Sequence, residues 1–304
     1  MEQRNKETAW FHLPGMFEHY EFYQVFLPLF FENREWFYPW AQIGSVYGAP
    51  EDCIWAGGRF EQSDASLESV LTLYREYGIS ARLTFSNSLL RREHLDDQRC
   101  NRICELFERK SGQVQNGVIV GADLLSGYLK EHYPNLYQVS STTKVLTEYA
   151  QLQAELDREE FLFVVPDFRL NMQKGQLDDL SMQEKDKVEL LCNECCPIGC
   201  TDRKACYENV SLRALGESVT EHRCTAFGGK DGYLFSKAME SPAFIGTEDI
   251  TNWYLPHGFS NYKIEGRGLG SAVLLEFLLY YLVKPECQLK VREKIYLDSM
   301  LNLF

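Results

Sequence analysis

Positive charge is scarce in this chain. Lysine and arginine number 31 against 44 aspartate and glutamate residues, which gives a formal net charge of −13. This acidic balance argues against broad electrostatic binding to nucleic acid or to an anionic membrane. We therefore expect a small-molecule or protein-tethered substrate, with a protein partner also open, and neither nucleic acid nor membrane as a partner.

Long apolar segments and targeting signals are also missing. The most apolar run, VLLEFLLYYLV, carries Glu276 and is too short for a membrane span. The first residues, MEQRNKETAW, lack the basic and then apolar arrangement of a signal peptide. We therefore expect a cytoplasmic protein, in which cysteine thiols stay reduced.

Several motifs of enzyme chemistry have no counterpart in the sequence. No G-x-G-x-x-G follows an early strand, so a dinucleotide-binding fold has no specific support. No G-x-S-x-G elbow is present for a serine nucleophile. The six histidines are dispersed, without the spacing of a metal site. These absences leave cysteine as the main chemical signal.

Cysteine is concentrated in one segment. Five cysteines lie within fifteen residues in LLCNECCPIGCTDRKACY, and a sixth follows in EHRC. Reduced thiolates gathered this densely usually hold a soft metal or an iron–sulfur cluster. The first pair has the C-x2-C spacing of a zinc site, whereas the other spacings are irregular and suit a cluster better. Spacing alone leaves a cluster, zinc and free thiols open. The remaining four we expect to be buried as small apolar residues: Cys53, Cys100, Cys104 and Cys287.

Short apolar runs alternate with helix-length segments along the chain. Most runs are hydrophobic throughout, which is typical of parallel strands buried on both faces. The predicted strands are AQIGSV (41–46), ARLTFS (81–86), GVIVGA (117–122), YQVSS (137–141), FLFVV (161–165), KVELLC (187–192), AFIG (243–246) and NYKIEG (261–266). Eight strands with helices between them predict an α/β fold, a (β/α)8 TIM-barrel-like single domain over residues 1–304. A doubly wound open sheet is the alternative.

Two segments depart from the regular alternation. The stretch FEHYEFYQVFLPLFFE favours a helix, so we predict an N-terminal helical extension over about 1–38. The starts of the sixth and seventh predicted strands are 56 residues apart, and all six clustered cysteines lie between them. We therefore predict a long cysteine-rich insertion after strand 6, with a loop and a helix over about 192–240.

Polar side chains follow most of the predicted strands. In (β/α)8 barrels the chemistry lies at the C-terminal ends of the strands. The sequence therefore predicts one polar mouth, formed by Ser45, Tyr47, Asn87, Ser88, Asp123, Ser140, Ser141, Thr142, Asp167, Arg169, Asn171, Asn193, Glu194, Glu248, Asp249, Lys263, Glu265 and Arg267.

Three charges of this set alternate along the last predicted strand. Lys263, Glu265 and Arg267 share one face of that strand, which is the barrel interior. Charges that point into a barrel need partners or a ligand. They are predicted to bind an anionic substrate or cofactor, with an internal salt-bridge network as the alternative. Together with Asp167 and Arg169 they are the candidate catalytic residues.

The cysteine segment also carries a family resemblance. LLCNECCPIGCTDRKACYENVS resembles the U32 peptidase-like group, whose divergent members have a pattern like N-x-x-C-L-x-x-C-P-x-R-x-x-H-Y after a barrel strand. The matching positions are Asn193, Cys196, Cys200, Arg203 and Tyr207. Further on, SPAFIGTEDITNWYLPHGFSNYKIEGR resembles the group's next segment, most closely at KIEGR, so that roughly 187–270 are covered. The chain departs from the group's pattern at three positions. Cys206 stands where the group often has histidine, and Thr201 and Gly246 each replace a proline.

The resemblance implies a TIM-barrel-like domain, often with a [4Fe–4S] cluster on four cysteines. The ligands carried over are Cys196, Cys200, Cys206 and Cys224, with Cys192 or Cys195 as replacements left open. Characterised members look more like oxygen-independent hydroxylation factors, acting on RNA bases or quinone precursors, than like peptidases. We therefore expect an iron–sulfur enzyme with redox or hydroxylation-type chemistry. The alternatives are a binding or scaffold protein stabilised by zinc or a cluster, and a hydrolase, as the peptidase label suggests.

Overall fold

Eight parallel strands form one sheet that curls into a nearly closed barrel. The structure, a computed structural model, describes residues 7–51, 53–57, 65–109, 114–220, 222, 224 and 234–298. The strands are β1 (Ala9–Pro14), β2 (Ala41–Gly48), β3 (Ser80–Phe85), β4 (Gly117–Val120), β5 (Tyr137–Ser140), β6 (Phe161–Val164), β7 (Glu189–Leu191) and β8 (Asn261–Lys263). Neighbours in the sheet follow chain order from β1 to β6, and β8 lies between β1 and β7. The predicted (β/α)8 TIM-barrel-like fold is confirmed.

The ring closes between β6 and β7, where pairing is sparse. The other neighbouring strands pair along ladders, such as Leu83 with Val118 between β3 and β4. Across the described part of the seam, β6 meets the other edge through a single parallel bridge, from Val164 to Val188 just before β7. The barrel is therefore held less firmly at this seam than elsewhere.

Helices separate the strands and cover the outside of the barrel. In the described ranges they are α1 (Tyr20–Glu32), α2 (Leu67–Glu76), α3 (Gln98–Glu108), α4 (Asp123–His132), α5 (Tyr149–Leu156), α6 (Lys174–Asp178), α7 (Met182–Lys187), α8 (Arg203–Ala214), α9 (Phe235–Met239), α10 (Thr247–Asp249), α11 (Gly270–Leu282) and α12 (Gln288–Asp298). Side-chain caps start several of them; Ser66, for example, accepts a hydrogen bond from the backbone N–H of Ser69 at the start of α2. Crossing a membrane takes a longer, more apolar helix than any in these ranges.

Two predicted details of the barrel are wrong. The first strand is β1, which lies inside the segment predicted as a helical extension, and α1 follows it. Residues 243–246 do not form a strand. Ile245 donates a single backbone hydrogen bond to the Cys192 carbonyl at 3.0 Å, and the chain then enters α10. The cysteine-rich insertion does follow KVELLC, but with β1 counted that strand is β7. Within the insertion, residues 221, 223 and 225–233 lie outside the described residues.

The apolar core has a large outer part and a small inner one. Outside the sheet, Phe11 of β1 packs against Tyr262 of β8 and Tyr281 of α11. Inside the barrel, a smaller buried cluster includes Ile119, Val139, Phe163 and Leu191. Among the cysteines outside the insertion, the first three are buried as expected and the last is half-buried: Cys53, Cys100, Cys104 and Cys287.

Candidate active site at the barrel mouth

A pocket opens at the C-terminal ends of the strands, where a (β/α)8 barrel carries its chemistry. Its volume is about 110 Å³, and we call it the mouth pocket. Seven of the predicted mouth residues line it: Tyr47, Ser141, Thr142, Glu194, Lys263, Glu265 and Arg267. Four further polar lining residues were not predicted: Thr84, Ser86, Thr143 and Tyr207.

Other residues predicted for the mouth have structural partners instead. Asn87 and Asn171 are buried, and each donates hydrogen bonds to two backbone carbonyls. Asp123 and Asp249 each form an ion pair with a lysine at 3.1 Å. These four side chains hold loops together around the pocket.

A buried ion network fills the barrel interior next to the mouth pocket. The Glu189 carboxylate lies 2.5 Å from Nη1 of Arg82, 3.5 Å from Nζ of Lys263 and 3.6 Å from Nε2 of His12. Arg82 also donates from Nε to the Tyr137 hydroxyl at 2.7 Å. Burial alone raises the pKa of Glu189, but the charges of Arg82, His12 and Lys263 outweigh burial and lower it to about 2. The Glu189 carboxylate is therefore ionised.

Lys263 belongs both to this network and to the pocket wall. Its Nζ lies 3.4 Å from the centre of the Tyr47 ring, and the Tyr47 hydroxyl donates to the Ile264 carbonyl at 2.6 Å. Burial, with a smaller effect from Arg82, lowers the pKa of Lys263 to about 8, although Glu189 acts in the opposite direction. The pocket therefore has an amine in its wall that loses its proton more readily than an ordinary lysine.

Arg267 is also paired inside the protein. Its Nε donates to Oε1 of Glu18 at 2.9 Å, and both side chains are buried. Internal salt bridges, the alternative that the sequence left open, are therefore present at Lys263 and Arg267, and both residues still line the pocket.

A second ion network ties the cysteine loop to the barrel. Arg203, the first residue of α8, contacts Glu194 through Nη2 and Asp167 through Nε, the latter at 3.3 Å. Asp167 also accepts from Nε of Arg169 at 2.6 Å, and Nη1 of Arg169 donates to the Cys200 carbonyl at 2.9 Å. Burial raises the pKa of Glu194, but the charge and hydrogen bond of Arg203 outweigh it and lower the value to about 2. Asp167 and Arg169 thus hold the cysteine loop, and neither lines the mouth pocket.

Glu194, Cys195 and Glu265 form a hydrogen-bonded trio at the pocket wall. Their ligand-type atoms all lie within 4.8 Å of one another. The Cys195 thiol is 3.5 Å from Oε1 of Glu194 and 3.8 Å from Oε1 of Glu265. Glu265 also helps to lower the pKa of Glu194, after the larger effect of Arg203. The trio therefore places a thiol between two acidic side chains, both of which line the pocket.

The four predicted cysteine ligands lie around α8. Cys196 and Cys200 precede the helix, Cys206 lies in its first turn, and Cys224 follows it. Burial raises the pKa of Cys196 to about 12, with Arg203 opposing that effect. Among the described residues, no three of these thiols lie within 4.8 Å of one another. The thiolates of a cluster bind different irons, so they need not converge as tightly as the ligands of one ion.

Comparison with known proteins supports the fold alone. No family model and no curated protein matches the sequence. A solved structure of a U32 peptidase aligns with a TM-score of 0.52 at 13% sequence identity, covering 88% of this chain and 96% of that chain. The alignment extends well beyond the segment in which the sequence resembles the U32 group. The chain therefore has the barrel fold of a U32 peptidase.

Proposed function

We propose that this protein is an iron–sulfur-dependent enzyme of the U32-like group, with its substrate bound in the mouth pocket. One observation carries the proposal: the cysteine segment and the pocket share a wall. Glu194 and Tyr207 both line the pocket, and Cys196, Cys200 and Cys206 lie between them in the chain. A cofactor held by these thiols would therefore lie beside a bound substrate, which is what a redox cofactor requires.

The donor set fits an iron–sulfur cluster. Cys196, Cys200, Cys206 and Cys224 would hold it, and soft thiolates are the ligands that such clusters prefer. The neighbouring guanidinium of Arg203 favours the thiolate form of Cys196, against the effect of burial. Iron would replace the thiol protons, so retention of the cluster would weaken as the pH falls.

The cluster would supply electron transfer or Lewis acidity, and the chain's own residues would do the rest. Arg203 and Arg169 fix the loop that carries the cysteines, through Asp167 and the Cys200 carbonyl. Glu194 and Glu265 would place two acidic side chains beside the substrate, at the pocket wall. Resemblance to the U32 group suggests oxygen-independent hydroxylation of a small or tethered substrate as the reaction type.

Metal analysis of protein purified without oxygen tests this proposal. We expect about four irons and matching sulfide per chain, with broad visible absorption. Cys196→Ser and Cys200→Ser are each expected to lose most of the iron and the absorption. Cys287→Ser is the matched control, because Cys287 is a half-buried cysteine outside the insertion.

Other outcomes would contradict the proposal in distinct ways. One zinc per chain, lost in the Cys196 and Cys200 variants, would make the thiols a structural site in a binding or scaffold protein. Iron that persists in both variants, or that falls equally in Cys287→Ser, would place the metal elsewhere.

A further inference from the structure

The amine of Lys263 lies in an environment that favours its action as a nucleophile. Lys263 ends β8, points into the barrel and lines the mouth pocket, and only 5% of its surface is exposed. Its charged and titratable neighbours come from four other elements and the loop after β8: Glu189, Arg82, Tyr47, His12 and Arg267. A lysine held inside a pocket, away from bulk water, can act as a nucleophile toward a carbonyl group.

The pocket offers hydrogen bonds that the described residues do not use. Oγ1 of Thr84 and Oγ of Ser86 are buried in the pocket lining and have no hydrogen-bond partner among the described residues. Buried hydroxyls of this kind are usually satisfied, so a ligand oxygen in the pocket would supply what they lack. Both lie at the end of β3, facing the same pocket as Lys263.

The size of the pocket limits what can bind there. Its volume is about 110 Å³, and an apolar cavity of roughly 150 Å³ admits benzene. A ligand of a few heavy atoms therefore fits beside Lys263, and the hydroxyls of Thr84 and Ser86 favour one that carries an oxygen acceptor.

We propose that Lys263 forms an imine with a small aldehyde or ketone bound in the mouth pocket. The neutral amine attacks the carbonyl carbon, a C–N bond forms, and the carbonyl oxygen takes up protons and leaves as water. One C=O bond becomes one C=N bond with the release of one water, so no oxidant or reductant is needed. The two N–H hydrogens that the amine gives up are the two that the departing water carries away, and Glu194 and Glu265 lie in the same pocket wall. This inference goes beyond the proposed function and involves no metal.

The electrostatics of the site agree with this role. Burial lowers the pKa of Lys263 from 10.5 to about 8. At pH 7 that change enlarges the fraction of free amine by roughly 300-fold. The unprotonated fraction of the Lys263 amine, which is the form that attacks a carbonyl, is therefore much larger than that of the lysines on the surface.

Reductive trapping tests the proposal on the intact chain. Wild-type protein is incubated with acetaldehyde or glyoxylate and sodium cyanoborohydride at pH 7, and each lysine is then scored by peptide mass spectrometry. We expect labelling of Lys263 at least about tenfold above the median lysine at limiting probe, because its free-amine fraction is larger. Lys263→Arg keeps the positive charge beside Glu189 and should lose that label.

Lys185→Arg is the control variant, since Lys185 is also a buried lysine with a carboxylate partner, Asp178 at 3.0 Å, but lies outside the pocket. It should leave the label on Lys263 unchanged. A wild-type map in which Lys263 is labelled no more than surface lysines would overturn the proposal, and that result needs no folded variant. Metal content is measured separately, so the failure of trapping and the absence of a cluster are distinguishable.

Discussion

Replacing Glu189 with glutamine tests whether the stability of the folded barrel depends on the ion pairs in its interior. Glu189 contacts both Arg82 and Lys263, and its side chain has no exposed surface. Glutamine keeps the shape but removes the charge that both cations contact. Breaking one partner of a buried ion pair costs roughly 3 to 5 kcal/mol of unfolding free energy. The lowered pKa of Glu189, about 2 against 4.5, corresponds independently to about 3 kcal/mol.

The sign of the pH dependence follows from the direction of the pKa shift. Because the folded pKa of Glu189 lies below its unfolded value, this stabilisation is fully present above about pH 5 and is lost as the pH falls toward 2. The stability difference between wild type and Glu189→Gln should therefore be largest near neutral pH and should shrink in acid.

Urea unfolding followed by circular dichroism, at a series of pH values, measures both effects. Glu276→Gln is the matched control, since Glu276 forms an exposed pair with Arg292 at 2.7 Å. That exposed pair should contribute at most about 1 kcal/mol. The reasoning is refuted if Glu189→Gln costs no more than Glu276→Gln, or if its cost is the same at acid and neutral pH.

Three further substitutions test the packing and the ion pairs around the barrel. A Cβ at Gly57 would lie 2.5 Å from the backbone of Ser86, so Gly57→Ala should cost about 1 to 3 kcal/mol in thermal unfolding. Gly127→Ala in α4, where a Cβ meets nothing within 4 Å, should stabilise by about 0.5 to 1 kcal/mol. Arg203→Met leaves the Glu194 carboxylate buried without its cation, so we expect a loss of about 3 kcal/mol in urea. The same variant should retain less iron after gel filtration, and unchanged iron would contradict the anchoring role of Arg203.

The barrel could be predicted because seven of its strands are apolar runs of strand length. β1 was missed because His12 and Pro14 interrupt its apolar pattern. His12 is accommodated inside the barrel by Ser45, whose Oγ lies 2.8 Å from Nδ1, and by the Glu189 carboxylate. Those partners are distant in the chain, so only the folded structure reveals them. AFIG resembles a strand locally but pairs through a single hydrogen bond.

The site could be predicted in part, for the same physical reason. Glu194, Lys263 and Glu265 could be predicted at the pocket from their positions at the ends of strands, because parallel strands end at one face of the barrel. Strand-end position did not identify Arg82 and Glu189, because Arg82 lies inside β3 and Glu189 is the first residue of β7, away from the C-terminal ends. A signal was present, because a charged residue inside an apolar strand needs a buried partner. Which partner it finds depends on the register of strands far apart in sequence.

The seam between β6 and β7, where strand pairing is sparse, leads into loops at the mouth of the barrel. Local opening of the barrel is expected to begin there, because few backbone hydrogen bonds need to break. The loops after these two strands carry Asp167 and Glu194, and Arg203 forms ion pairs with both carboxylates across the seam. Anything that binds the closed mouth would slow this opening. Amide hydrogen exchange in β6 and β7 would therefore report on occupancy of a pocket whose ligand is unidentified.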